Sequence, residues 1–69
     1  MNKQEHLLVV LSEELAEMQQ AIAKALRFGL GDIYEDKNNL QYIQDEYVDV
    51  QAIVSLLDLE GVSIEIEDV

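Results

Sequence analysis

The sequence predicts an all-α protein in which two long helices fold back on each other as an antiparallel helical hairpin. Proline is absent, apolar residues recur at steps of three and four in two long stretches, and glycine occurs only at 29, 31 and 61, between or after these stretches. We expect a single domain over 1–69, with a helix over about 3–28, a loop over 29–37, a helix over about 38–60 and a tail over 61–69.

The first helix carries signals at both ends. Asn2 followed by Glu5 matches a capping box, and Arg27 followed by Gly29 is typical of a helix C-terminus. Between these ends the apolar residues form one stripe, and Met18 and Phe28 are expected in the core. The predicted stripe consists of Leu8, Leu11, Leu15, Met18, Ile22 and Ala25.

The second helix begins between Asp36 and Asn39 and stops at Gly61. The connection GLGDIYEDKN before it is short and polar, which favours an antiparallel hairpin, and Asp32 with Glu35 allows a brief extra helical turn there. The predicted apolar stripe of this helix consists of Leu40, Ile43, Tyr47, Val50, Val54 and Leu57, widened by Ile53 and Leu56.

The tail VSIEIEDV alternates with a period of two. This pattern allows two interpretations, a short strand completed by another chain or a frayed tail. The apolar stripes are wider than one partner helix can cover, and a core of this size is marginal. We therefore expect the hairpin to be completed by oligomerisation into a four-helix-bundle-like assembly, as a homodimer or homotetramer.

Composition excludes several classes of function. Fifteen acidic residues against four basic ones give a formal charge of −11, which disfavours nucleic acid and anionic membranes as partners. Cysteine is absent and His6 is the one histidine, so any metal must accept oxygen ligands. The run LLVVL is too short for a signal peptide or a membrane span, and we expect a soluble, cytoplasmic protein.

The placement of the acids points to a cation site. Glu14 and Glu17 lie one turn apart at the edge of the first stripe, beside Glu13, and Glu46 and Asp49 repeat this spacing on the second helix. In a hairpin the two pairs face each other, which is costly without a cation. Oxygen ligands favour Mg²⁺ or Mn²⁺. Taken alone, the first cluster is more typical of a solvated helix face, and the second pair at Glu46 and Asp49 reverses that preference.

Basic and amide groups are expected beside these acids. Lys24 lies seven residues after Glu17, and Asn39 lies seven residues before Glu46, so an antiparallel hairpin places both at one level, with Arg27 or Lys37 nearby. This arrangement suits a phosphate chain. Lys24 and Arg27 are also explained by the helix dipole, and Asn39 by helix capping.

These motifs resemble a known family. The pattern E-E-x-x-E at Glu13, Glu14 and Glu17, then 28 residues, then E-x-x-D at Glu46 and Asp49, resembles the signature of the MazG-type all-α nucleoside triphosphate pyrophosphohydrolases, related to the dimeric dUTPases. The stretches EELAEMQQAIAKALRFG and NNLQYIQDEYVDVQAIVSLL are similar to short single-domain members from phages and bacteria. The resemblance covers residues 6 to about 60.

The resemblance implies an enzyme that hydrolyses a (d)NTP to the monophosphate and pyrophosphate with Mg²⁺. The residues that match the family's metal ligands are Glu14, Glu17, Glu46 and Asp49, and Glu13 matches the additional acid of the motif. Lys24 and Arg27 then contact phosphate oxygens, and Asn39 contacts the sugar or base.

This sequence departs from the family after the second motif. Members of the family usually continue into further helices, where this sequence has VSIEIEDV. We expect a neighbouring subunit to supply that surface, or the activity to be weak or lost. Two alternatives stay open: an acidic inhibitor or adaptor that presents its negative face to a basic partner, and a purely structural dimerisation hairpin.

Overall fold

The computed structural model describes residues 1–65. Helix α1 (Lys3–Phe28) is followed by two short strands, β1 (Ile33–Tyr34) and β2 (Lys37–Asn38), and by helix α2 (Asn39–Leu59). The mostly helical fold is confirmed. Residues 62–65 form no regular structure, and the rest of the tail, where a strand was one of two interpretations, lies outside the described residues.

Both helices begin with a capping box. Asn2 Oδ1 accepts a hydrogen bond from the Glu5 backbone N–H (2.8 Å), and Glu5 Oε1 accepts one from the Asn2 N–H (3.1 Å). Asn38 and Gln41 repeat this exchange at the start of α2. The capping role that the sequence allowed for Asn39 therefore belongs to Asn38, and Asn39 is the first residue of the helix.

The connection differs from the extra helical turn that the sequence allowed. The strands β1 and β2 pair antiparallel around Glu35, which has a φ of 60°. The Tyr42 hydroxyl donates a hydrogen bond to the Tyr34 carbonyl (2.9 Å), and the Asn39 N–H donates one to the Asp32 carbonyl (3.0 Å). Contacts with the first turns of α2 thus hold this segment as a small hairpin.

The two helices meet along a line of buried and half-buried residues that we call the seam. Successive members are spaced alternately four and three residues apart, the seven-residue repeat of helices that pack along a common line. On α1 the seam consists of Leu7, Leu11, Glu14, Met18, Ala21 and Ala25, and on α2 of Asn39, Ile43, Glu46, Val50, Ile53 and Leu57.

The seam corrects the predicted stripes. On α1 three of the predicted positions, Leu11, Met18 and Ala25, lie in the seam. At the other three the seam lies one residue earlier, so Leu8, Leu15 and Ile22 are exposed. The hydrophobic pattern was ambiguous because apolar residues occur along both the predicted stripe and the seam. The seam also includes Glu14, an acidic residue that a hydrophobic pattern does not select. On α2, Leu40 and Tyr47 are likewise exposed.

Contacts at both ends fix how the helices sit against each other. At the open end Leu7, Leu11 and Leu57 form the hydrophobic core, and Lys3 pairs with Glu60 (2.9 Å). At the loop end the buried Asn39 donates a hydrogen bond from Nδ2 to the Gly29 carbonyl, 2.8 Å away.

Several large apolar side chains remain on the outside. Phe28, which the sequence placed in the core, is 58% exposed at the last position of α1. Leu26 and Leu59 are also largely exposed. Within residues 1–65 no helix is both long enough and apolar enough to cross a membrane.

Candidate functional site

Three glutamates from the two helices converge in the middle of the seam. Glu14, Glu17 and Glu46 each contribute one carboxylate oxygen to a group whose members all lie within 4.8 Å of one another. Glu14 and Glu46 are half-buried members of the seam, and Glu17 lies one turn along α1 from Glu14 and is exposed. We call these three residues the glutamate triad.

The triad is electrostatically unfavourable when it holds neither a proton nor a cation. Among the described residues, Oε2 of Glu14 and Oε2 of Glu46 are buried without a hydrogen-bond partner. Burial raises the pKa of Glu14, and the charges of Glu17 and Asp49 raise it further. Burial and the same two neighbours also raise the pKa of Glu46. The site therefore favours the uptake of positive charge.

Two other predicted acids lie at the edge of the triad. Asp49 is exposed but close enough to raise the pKa of both Glu14 and Glu46 through its charge. Glu13 is exposed on α1, and its charge is the smallest of the contributions to the raised pKa of Glu14. Asp49 thus lies near the triad but outside the group of oxygens within 4.8 Å of one another, and Glu13 lies on its flank.

A cleft of about 390 Å³ adjoins the triad. Glu17 and Glu46 form its acidic end, and Lys24 and Tyr42 lie at the other end, with Gln20 and Ala21 between them along α1. We call this space the acidic cleft. It joins carboxylates that can hold a cation to an ammonium group that can hold an anion.

A second cavity of about 360 Å³ lies beside the small hairpin. It is lined by Lys24, Phe28, Asp32 and Tyr34, and we call it the aromatic cavity. Lys24 lines both spaces, so the two are neighbours, and its Nζ lies 5.8 Å from the centroid of the Tyr34 ring. Lys24 is therefore placed to contact a molecule bound in either space.

The four basic side chains divide into two pairs. Lys3 and Lys37 form ion pairs, with Glu60 and Asp45 respectively. Lys24 and Arg27 form none with any residue that the structure describes, and Arg27 instead lies over the Phe28 ring, 5.1 Å from its centroid. The cations that remain available are therefore the two near the cavities.

Asn39 lies elsewhere than the sequence predicts. Its side chain is only 5% exposed and its Nδ2 is engaged by the Gly29 carbonyl, so Asn39 is level with the end of α1 and not with Lys24. The residue of α2 that shares a cavity with Lys24 is Tyr42. The expected juxtaposition of Lys24 and Asn39 is therefore wrong by more than one helical turn.

Comparisons of the chain with protein-family models, with curated proteins and with solved structures find no match.

Sequence reasoning missed the residues contributed by the small hairpin. Asp32 and Tyr34 line the aromatic cavity, but both stood in a segment that was interpreted as a polar connection. Tight two-residue hairpin turns usually carry glycine or asparagine, whereas Glu35 and Asp36 stand at this turn. The remaining signal was Tyr34 itself, the one aromatic residue of the connection GLGDIYEDKN.

Proposed function

We propose that this protein is a Mg²⁺-dependent, MazG-type nucleoside triphosphate pyrophosphohydrolase that converts a (d)NTP to a (d)NMP and pyrophosphate. The observation that carries the proposal is the convergence of the glutamate triad from two helices at the centre of the seam. Carboxylates at these positions weaken helix packing, and a bound cation reverses that effect. The E-E-x-x-E and E-x-x-D motifs that supply them add the family resemblance.

The residues present fit a hard divalent cation. The donor set consists of carboxylate oxygens, which suit Mg²⁺ and Mn²⁺, and two of these oxygens are buried without a hydrogen-bond partner. Glu14, Glu17 and Glu46 would hold the ion, and the resemblance assigns Asp49 as a fourth ligand. When bound, the ion would neutralise phosphate charge and lower the pKa of bound water.

Basic residues support a phosphate chain as the substrate group. Lys24 faces the acidic cleft from the end opposite the carboxylates, and Arg27 lies one turn further along α1. Both would contact phosphate oxygens. In the reaction a water oxygen bonds to the α-phosphorus, the bond from that phosphorus to the bridging oxygen breaks, and pyrophosphate leaves. One of the carboxylates accepts the proton of the water.

Self-association is part of the proposal. On α1, Leu8, Leu15 and Ile22 follow one another at intervals of two turns on the outer side, and on α2 Leu40 and Tyr47 do the same. These rows would pack against a second copy to form a homodimer, or a homotetramer, with a four-helix core. Sedimentation equilibrium at micromolar concentration tests this part, and the mass of a monomer would contradict it.

The decisive experiment measures pyrophosphate release from a panel of (d)NTPs with Mg²⁺ or Mn²⁺. We expect release that requires the metal and is lost in Glu17→Gln, which keeps the shape of the side chain but removes its charge. Asp45→Asn is the matched control. It removes a carboxylate next to Glu46 that instead pairs with Lys37 on the surface, and it should retain the activity.

A folded protein that releases no pyrophosphate from any nucleotide would contradict the proposal. Unchanged release by Glu17→Gln would contradict the assignment of the triad. If Mg²⁺ also fails to raise the melting temperature, the acids act as a charged face. The acidic interaction module, an inhibitor or adaptor for a basic partner, then becomes the better hypothesis.

A further inference from the structure

Two exposed aromatic rings border the aromatic cavity. Phe28 ends α1 and Tyr34 lies in β1, and each is more than half exposed although both are large and apolar. Helix packing does not require either ring there, because both lie outside the seam. Paired with an unoccupied space of about 360 Å³, such rings are typical of a surface on which a flat ligand stacks.

The Tyr34 ring is held in place by its neighbours. The Tyr42 hydroxyl donates to the Tyr34 carbonyl, and the two rings are tilted by 49° with centroids 6.3 Å apart. Lys24 approaches the Tyr34 ring from the side of the acidic cleft. A ring that is fixed in this way can bind a planar group with little loss of side-chain entropy.

Asp32 gives the cavity its polarity. Asp32 lines the space, and within the part of the chain that the structure describes its carboxylate takes part in no ion pair. An ionised carboxylate only accepts hydrogen bonds, so it favours a ligand that presents N–H donors and disfavours one that presents a carbonyl oxygen. Cytosine, adenine and guanine carry an exocyclic amino group, which uracil and hypoxanthine lack.

From these observations we propose that the aromatic cavity binds a nucleobase that carries an exocyclic amino group, stacked on Tyr34 and recognised by Asp32. This inference rests on the proposed function, since the phosphates of the same nucleotide would occupy the acidic cleft. Lys24, which lines both spaces, contacts the phosphate next to the sugar. The cavity thus makes the site selective for nucleotides whose base carries an amino group, those of cytosine, adenine and guanine, over uracil or hypoxanthine nucleotides.

The test is binding of nucleoside monophosphates, which requires no hydrolysis. Protein labelled at its tyrosine rings is titrated with dCMP, dUMP, dAMP and dIMP in the presence of Mg²⁺, and the ring signals are followed by NMR. We expect the Tyr34 signals to shift with dCMP and dAMP, and each to bind about tenfold more tightly than its oxygen counterpart, the effect of one hydrogen bond to a charged group.

Three variants assign the roles of the two residues. Tyr34→Ala should weaken dCMP binding about tenfold or more, as loss of one stacking contact does, and Tyr34→Phe should retain it. Asp32→Asn should bring dCMP and dUMP to similar affinity, because an amide both donates and accepts. Equal binding of dCMP and dUMP by the unmodified protein would overturn the proposal, as would Tyr34→Ala with unchanged affinity.

The experiment separates this inference from the proposed function. Binding of dCMP that depends on Tyr34, without pyrophosphate release from any triphosphate, would support the base site and contradict the pyrophosphohydrolase. Metal-dependent release at equal rates from dCTP and dUTP, unaffected by Tyr34→Ala, would support the enzyme and overturn the base site.

Discussion

The open end of the helix pair and its middle place different kinds of residue at equivalent positions of the seam, apolar at the open end and acidic in the middle. At the open end Leu7, Leu11 and Leu57 pack together, and Leu57 is completely buried. In the middle the corresponding positions hold Glu14 and Glu46, which leave buried oxygens without partners. One repeat therefore serves two purposes, since the leucines stabilise the helix pair and the glutamates create a charged site within it.

This contrast also limits where stability can come from. The buried hydrophobic residues include two alanines next to the acidic middle, Ala21 and Ala25, which contribute little apolar area. Most of the favourable packing within one chain therefore lies at the open end. The middle remains folded because the ends hold it, which is the arrangement expected where a ligand restores the lost stability.

The largest expected effect is at the open end. Leu57→Ala should lower the free energy of unfolding by about 2–5 kcal/mol, because it removes a buried side chain and leaves a cavity. Leu59→Ala, two residues away on the exposed side of α2, should change it by no more than about 0.5 kcal/mol. Urea unfolding followed by circular dichroism measures both, and equal effects would show that the core lies elsewhere.

A smaller effect of opposite sign is expected in the middle. Without divalent metal, Glu46→Gln should raise the urea midpoint, because it removes a charge that burial and neighbouring carboxylates disfavour. Asp45→Asn should slightly lower the midpoint, since it breaks a surface ion pair with Lys37.

Magnesium then separates the two effects of Glu46. Addition of Mg²⁺ should raise the midpoint of the unmodified protein and of Asp45→Asn, but much less that of Glu46→Gln. Loss of stability on Glu46→Gln in metal-free solution would mean that the carboxylate makes a favourable contact there, and the proposed contrast would fail.

The sequence predicts the features that local residue patterns determine better than those that depend on contacts between distant parts of the chain. Caps and glycines are local, so the ends of α1 were predicted to the residue. The face of α1 was predicted only in part. Leu11, Met18 and Ala25 lie in the seam, but a hydrophobic pattern favours Leu15 over Glu14 and Ile22 over Ala21, and in each case the less apolar residue is the buried or half-buried one. The offset between the helices is set by the small hairpin, which explains why Asn39 lies beside Gly29.

The predicted convergence of carboxylates from the two helices did not depend on the correct offset between the helices. The motif spacing places an acid in every turn near the middle of both helices, so a shift of one turn still brings carboxylates together. The aromatic cavity could not be predicted in this way, because no repeated motif supplies its residues. It depends on the conformation of residues 32–34, and their conformation depends on contacts with α2 that no local pattern encodes.

The smallest expected effect is a pH dependence confined to the acidic middle. The raised pKa values of Glu14 and Glu46 mean that the folded metal-free protein binds protons more tightly than the unfolded chain, in which such groups titrate near 4.5. Stability should therefore rise as the pH falls from 7 toward 5, and fall as the pH rises through the folded pKa values. Saturating Mg²⁺ should reverse the slope, because protons then compete with the metal.

Urea midpoints between pH 5 and 7.5, with EDTA or with Mg²⁺, measure this dependence. The double variant Glu14→Gln with Glu46→Gln keeps the general repulsion of an acidic chain but lacks both titrating groups of the seam. It should therefore lose most of the slope in EDTA and its reversal in Mg²⁺. A pH dependence that persists in the double variant would arise from the overall negative charge of the chain. Glu14 and Glu46 would then contribute no more to it than the acidic residues on the surface.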